Sequence, residues 1–288
     1  MKKMRTASPF RYPGGKSAMA GLLSGIRQRN GLGDRSIAEP FAGGAGASLS
    51  LLYLEETHGI HINDADPAIH DFWWSIVNDI DGFARLLDEA DVNLEEWHRQ
   101  REIYRSNSGV SRLQKGFATF YLNRCNRSGI IMNGGPIGGT RQTGDWKIGA
   151  RFNKGDLRRR CERIHEYRDR ITVTCRDGID FIDGLDDSKT FFFIDPPYYV
   201  KGKTLYLNGL DDAYHKALAS RLKAKQNAAW VLTYDDCPEI RSLYNPWATV
   251  RPFSLRYVAA ERRAGNEVLI VPKWMDLPIS QDSTSITW

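Results

Sequence analysis

Short β-branched or aromatic runs recur along the chain, each followed by a turn and then by apolar residues at helical spacing. Ser36-Ile37-Ala38-Glu39 reads as a strand entering a Gly-rich turn at 42–46, after which Ala47–Glu56 reads as a helix. His61-Ile62-Asn63 is a second short strand that ends on Asp64. Ile171–Cys175, Thr190–Ile194 and Ala229–Tyr234 are three more, apolar enough to be buried as the strands of parallel sheets are. Asp211 or Asp212 caps a helix over 213–225, and Pro238–Tyr244 forms another. Val250–Tyr257 and Glu267–Val271, flanking a turn at 262–266, read as a terminal antiparallel hairpin. Strands alternating with helices predict an α/β, Rossmann-like, mostly parallel sheet with helices on its faces.

Between Pro67 and Arg170 the pattern changes to amphipathic helical stretches rich in Trp and Arg, then to a Gly-dense patch at Asn133–Gly139. The expected organisation is a sheet domain from 1–70 and 171–275, an inserted, mostly helical lobe at 71–170, and a polar, flexible tail at 276–288.

Charge sharpens this division. The net charge is +5, yet Trp97–Arg170 alone carries 17 Lys/Arg against 6 Asp/Glu, a net of +11, so the remainder is at −6. A basic lobe on an acidic body suits a polyanion, because each neutralised phosphate releases counterions; a solvated basic helix face is the alternative. Four scattered cysteines without CxxC spacing exclude a zinc ribbon and suggest a reducing, cytoplasmic setting. No apolar run approaches the ~20 residues that cross a bilayer, so neither membrane nor metal is expected.

Three segments carry candidate chemistry. Asp195-Pro196-Pro197-Tyr198 follows the strand Thr190–Ile194 and so lies at the carboxyl edge of the sheet, where open α/β folds place their sites. The prolines stiffen the loop and present one carboxylate and one aromatic ring together; a rigid turn with an N-capping Asp is the other reading. Hydrogen bonds from an aromatic amine to the Asp195 carboxylate and the Pro196 carbonyl would favour a pyramidal nitrogen with its lone pair free to attack. Glu39-Pro40-Phe41-Ala42-Gly43-Gly44-Ala45-Gly46 joins strand to helix but does not complete GxGxxG, since Leu49 stands at the third glycine. A ligand without phosphates is the better match for such a loop. Phe10-Arg11-Tyr12-Pro13-Gly14-Gly15-Lys16-Ser17 lacks the GxxxxGK[ST] spacing, so Lys16 reads as the partner of a carboxylate.

Taken in order, these segments resemble the Dam-like, D12 class of adenine-specific DNA methyltransferases, whose pattern is aromatic-x-Gly-Gly-Lys, Glu-Pro-Phe-x-Gly-x-Gly, an acidic residue after the second strand, and Asp-Pro-Pro-Tyr. The match runs from about Phe10 to Val271 and includes Tyr121-Leu122-Asn123-Arg124. The resemblance implies a monomer that moves a methyl group from S-adenosylmethionine to adenine N6 in double-stranded DNA, by direct displacement and without a metal. It implies that Tyr12 and Lys16 hold the methionine part of the cofactor, that Phe41, Gly43 and Gly46 line its site, and that Asp64 takes the ribose hydroxyls. Asp177 would lie near the cofactor adenine. Asp195, Pro196 and Tyr198 would be catalytic, with Asp195 also touching the cofactor. The insert becomes a target-recognition lobe in which Arg124, Asn126, Arg127 and Ser128 approach the duplex and 129–147 forms a hairpin; the loop 200–210 after the catalytic turn, with Lys201 and Lys203 as further DNA-binding residues, would close over the flipped base. Where GATC-reading relatives show Asn-Arg-Tyr-Gly-Tyr-Asn-Gly, this chain has Asn123-Arg124-Cys125-Asn126-Arg127-Ser128-Gly129, a departure that argues for another target. Related Pro-Pro-Tyr loops act on cytosine N4, RNA bases or protein glutamine, and a non-catalytic DNA-binding module stays open as a reading of the basic lobe alone.

Overall fold

The computed structural model describes residues 7–11, 16–200, 210–255, 267–278 and 286–287. A 3-10 turn at Lys16–Met19 leads into α1 (Ala20–Arg29), then β1 (Ser36–Glu39), α2 (Gly46–Tyr53) and β2 (Ile60–Asn63). The insert contributes α3 (Pro67–Asn78), α4 (Ile80–Glu89), α5 (Leu94–Arg105), α6 (Arg112–Cys125) and α7 (Lys154–Glu166). The chain returns through β3 (Ile171–Thr174), α8 (Gly178–Asp183), β4 (Thr190–Ile194), α9 (Asp212–Ala224), β5 (Ala229–Asp235) and α10 (Pro238–Tyr244), and closes with β6 (Ala248–Leu255), β7 (Glu267–Pro272) and β8 (Ile286–Thr287).

Strand order is β3-β2-β1-β4-β5-β7-β6-β8. The first five strands are parallel, and β7 and β6 run antiparallel beside β5. Strand order reverses between β1 and β4, so a crevice opens at their carboxyl ends. Alternation along β4 divides its aromatic run between two cores. Phe191 and Phe193 pack with α1, α2 and the insert, whereas Phe192 and Ile194 pack with α8, α9 and α10. Each buried phenylalanine removes enough apolar surface to stabilise the sheet by about 1.5–3 kcal/mol.

The helices of the insert share that first core. Phe72, Trp73, Phe83, Phe117 and Phe120 are fully buried in the same apolar cluster as Ile37, Ile62 and Phe191. Asp66 caps α3 by accepting from Ala68 N at 2.8 Å, and Pro67 fits the first helical turn. Ser111 and Gln114 close a reciprocal capping box on α6.

One expectation differs from the structure. Residues 129–147 form successive turns rather than a hairpin, with an isolated bridge between Asn126 and Pro136. Gln142 organises them, donating to the Ile137 and Gly139 carbonyls at 2.8 and 2.7 Å and accepting from Ile148 N at 2.9 Å. Of the described residues after β7, Asp276 exchanges two hydrogen bonds of 2.8 Å with Asn30, and Ile286–Thr287 pairs with the end of β6. Among the described residues no helix is long and apolar enough to cross a membrane, and no group of three His, Cys, Asp or Glu is placed to hold a metal ion.

Candidate active site

Because β1, β2, β3, β4 and β5 are parallel, their carboxyl ends share one edge, and Glu39, Asn63, Asp195 and Asp235 gather there. The antiparallel β7 starts at that same edge: Glu267 pairs in register with Asp235. A residue remote in sequence thus enters the site through strand direction alone.

Asp195 leaves β4 into two contacts on one oxygen. Its Oδ1 accepts from Thr233 Oγ1 at 2.5 Å and lies 3.6 Å from Lys16 Nζ. Lys16, only 6% exposed, sits 3.0 Å from Glu267 Oε2, also donates to the Tyr198 hydroxyl, and lies 4.9 Å from the centre of that ring. Burial pushes the Asp195 carboxyl above its ordinary range, and the Lys16 charge followed by the Thr233 hydroxyl works against that shift. Both contacts fall on Oδ1, which leaves Oδ2 as an acceptor among the described residues. Beyond the loop, Asp235 accepts from Tyr199 N at 2.9 Å and Val200 N at 2.8 Å, fixing how the chain leaves the two prolines.

The turn after β1 is held from beneath. Gly43, at φ 45°, donates its N–H to Asp64 Oδ2 at 3.0 Å, and its carbonyl accepts from Trp73 Nε1 at 2.9 Å. Asp64 Oδ1 also accepts from Asp66 N at 3.0 Å, and burial raises its pKa to about 6. Two N–H groups use half of that carboxylate's acceptor capacity, so the rest is open to hydroxyl donors. Phe41 lies against the β3–α8 turn so closely that Gly178 has no room for a Cβ. This brings Phe41 beside Asp177, which spends one oxygen capping α8 through Ile179 N and Asp180 N at 2.8 and 3.3 Å. At Gly46 a Cβ would collide with Ser17. Asn63 locks three strand ends together, donating to the Pro40 and Arg176 carbonyls and accepting from Thr174 Oγ1 and Arg176 N. Glu39 is buried, accepts from Ser48 N at 2.9 Å and from the Ser48 hydroxyl, and is raised to about 7 mainly by burial, with a smaller push from the Asp195 charge.

The insert residues separate into two kinds. Asn126 is 0% exposed: it accepts from Trp97 Nε1 at 2.7 Å and donates to the Ile130 and Ile131 carbonyls at 2.7 and 3.1 Å. Arg124 spends its guanidinium on the Arg151 and Pro9 carbonyls, and burial lowers its pKa to about 10. Asn126 therefore braces the lobe from inside, where a duplex does not reach, which corrects the expectation of DNA contact for it, whereas Arg124 is half-buried and bonds to carbonyls of its own chain. Arg127 and Ser128 are exposed, Ser128 at a left-handed φ of 55°. The neighbouring Asn123 holds Arg11 as a strand partner would, accepting from its N at 2.7 Å and donating to its O at 2.9 Å. Helix α6 thereby anchors the segment leading to Lys16. Tyr12, Lys201 and Lys203 lie outside the described residues.

Glu267, Thr233 and Asp235 were not singled out by sequence, although Asp235 ends and Glu267 opens an otherwise apolar strand. A charge abutting such a run was the available signal. Among solved structures, the chain is similar to the rRNA methyltransferase aviRa from Streptomyces viridochromogenes, with a TM-score of 0.34 and 12% identity over 88% of this chain and 82% of that one, a likeness too distant to assign residues. No curated protein matches the chain. The model of the D12 class N6 adenine-specific DNA methyltransferases matches residues 12–262, spanning the Lys16 segment, the β1 turn, the insert and Asp195–Tyr198, and the chain belongs to that family.

Proposed function

We propose that this chain transfers a methyl group from S-adenosylmethionine to N6 of an adenine flipped out of double-stranded DNA. The observation that carries the reading is the convergence on Asp195 of Thr233 and Lys16, with Tyr198 alongside, at the point where strand order reverses. The donor set fits the cofactor: a buried ammonium at Lys16 suits its carboxylate, the spare acceptor capacity of Asp64 suits ribose hydroxyls, and Phe41 beside Asp177 suits an adenine ring. When bound, S-adenosylmethionine supplies a methyl group activated on a sulfonium.

The protein's own residues do the rest. Asp195 and the Pro196 carbonyl accept the two N–H groups of the adenine amine, which frees the nitrogen lone pair. The nitrogen would take the methyl group as its bond to sulfur breaks, the electron pair staying on sulfur, and the N–H proton then released has the Asp195 carboxylate as its acceptor. Lys16 and Thr233 keep that carboxylate ionised against the cost of burial. Tyr198 stacks on the extrahelical base, a contact worth roughly 1–3 kcal/mol that offsets part of the few kcal/mol spent on flipping. Exposed Arg127 and Ser128, with the basic surface around them, face the duplex.

The test is single-molecule sequencing of modified bases in a host without its own adenine methylase. N6-methyladenine at one defined sequence is expected with the wild type and none with Asp195→Ala, whose purified protein still binds DNA. Methylated cytosine, or no modified base with the wild type, would refute the reading.

A further inference from the structure

Trp146 is 68% exposed, the most exposed of the large hydrophobic side chains among the described residues. An indole standing in water forfeits more than a kcal/mol of burial and leaves its face open to a stacking partner. Cations neighbour it along the chain. From Arg124 to Lys154 the chain carries six Lys/Arg and one acid, Asp145. Arg158, Arg159 and Arg160 of α7 are paired with Asp88, Glu162 and Asp156, whereas no described carboxylate pairs with Arg127, Arg141, Lys147 or Arg151. Arg151 lies over the indole, 5.8 Å from its centre.

The turn also ties Trp146 to Arg127. At Gly138 the main chain abuts the Trp146 carbonyl, and the adjacent Gly139 lies beside the Arg127 guanidinium. Gln142 locks the turn from inside, and Lys147 Nζ donates to the Gln142 carbonyl at 2.7 Å. Next to Arg127, Gly129 abuts the Arg11 carbonyl, at the start of the segment that ends on Lys16. An aromatic plane on a braced loop, with Arg151 over it and unpaired cations along the same turns, has the chemistry of a base-stacking platform on a phosphate-binding surface.

We propose that Trp146 stacks on a base of the DNA substrate while Arg127, Arg141, Lys147 and Arg151 hold the flanking phosphates. The proposal rests on the DNA-methylating function argued above and adds a specific contact to it. Trp146→Ala and Trp146→Phe are compared with the wild type on a duplex carrying the methylated sequence, by fluorescence anisotropy for affinity and by methyl-transfer kinetics. Trp146→Ala weakens DNA binding roughly tenfold or more, as loss of one stacked base does, and lowers kcat/KM correspondingly. Trp146→Phe restores most of both, because a phenyl ring still stacks. S-adenosylmethionine affinity by calorimetry and the melting temperature stay at wild-type values in both variants, which excludes a folding effect. A wild type that methylates DNA beside a Trp146→Ala variant of equal affinity and equal kcat/KM overturns this role alone. A wild type that neither binds nor methylates DNA overturns the functional reading beneath it as well.

Discussion

Glu39→Gln isolates the electrostatic cost of the carboxyl buried at the end of β1. Glutamine keeps the oxygen that accepts from Ser48 and removes the ionisation. In the folded protein the Glu39 pKa is raised from 4.5 to about 7, by burial first and by the Asp195 charge to a smaller degree. At about 1.4 kcal/mol for each tenfold change, this amounts to roughly 3 kcal/mol. The folded state binds the proton more tightly than the unfolded chain, so this stability is fully present below pH 4.5 and is lost as pH rises through about 7. Urea unfolding of the two proteins at intervals from pH 5 to pH 8 therefore gives profiles that diverge, with the variant gaining about 3 kcal/mol relative to the wild type by pH 8. Asp64 and Asp195 titrate in both proteins and largely cancel in the difference. Parallel stability profiles would refute the argument.

Thr233→Val removes the hydroxyl that stabilises the Asp195 carboxylate. A hydrogen bond to a charged group is worth about 1.5–3 kcal/mol, so the acid limb of kcat moves to higher pH and kcat at neutral pH falls roughly tenfold, with S-adenosylmethionine affinity little changed. Asp64 ionises near pH 6, so calorimetry of the wild type shows S-adenosylmethionine affinity declining as pH falls through 6, a decline that disappears in Asp64→Asn together with about a tenfold loss at pH 8. Asn126→Ala strands the Trp97 indole N–H and two carbonyls; it costs roughly 3 kcal/mol in urea unfolding, while the folded variant at low temperature retains its DNA affinity. An Asn126→Ala protein of normal stability that has lost DNA binding would return this residue to the DNA interface.

The elements and their order were legible in the sequence because buried strands are short, contiguous apolar runs and helix starts carry caps. Ser36–Glu39, Thr190–Ile194 and Pro238–Tyr244 have in the structure the limits read from the sequence, and Asp211 caps α9 through Tyr214 N. Asp195 could be placed at an edge because it ends such a run. Contacts across the sheet were not legible. Glu267 reaches Lys16 across 251 positions of sequence, through an antiparallel register that local pattern does not encode. Polarity misleads where a polar side chain bonds inward: Asn126 has the composition of a DNA-reading surface, yet it satisfies a buried indole and two carbonyl groups. Residue type and spacing thus determined which chemistry the chain carries and on which loop it begins. Only the tertiary structure decided which charges surround Asp195 and which basic residues are left for DNA, because strand direction and burial, rather than proximity in sequence, choose the partners of a polar group.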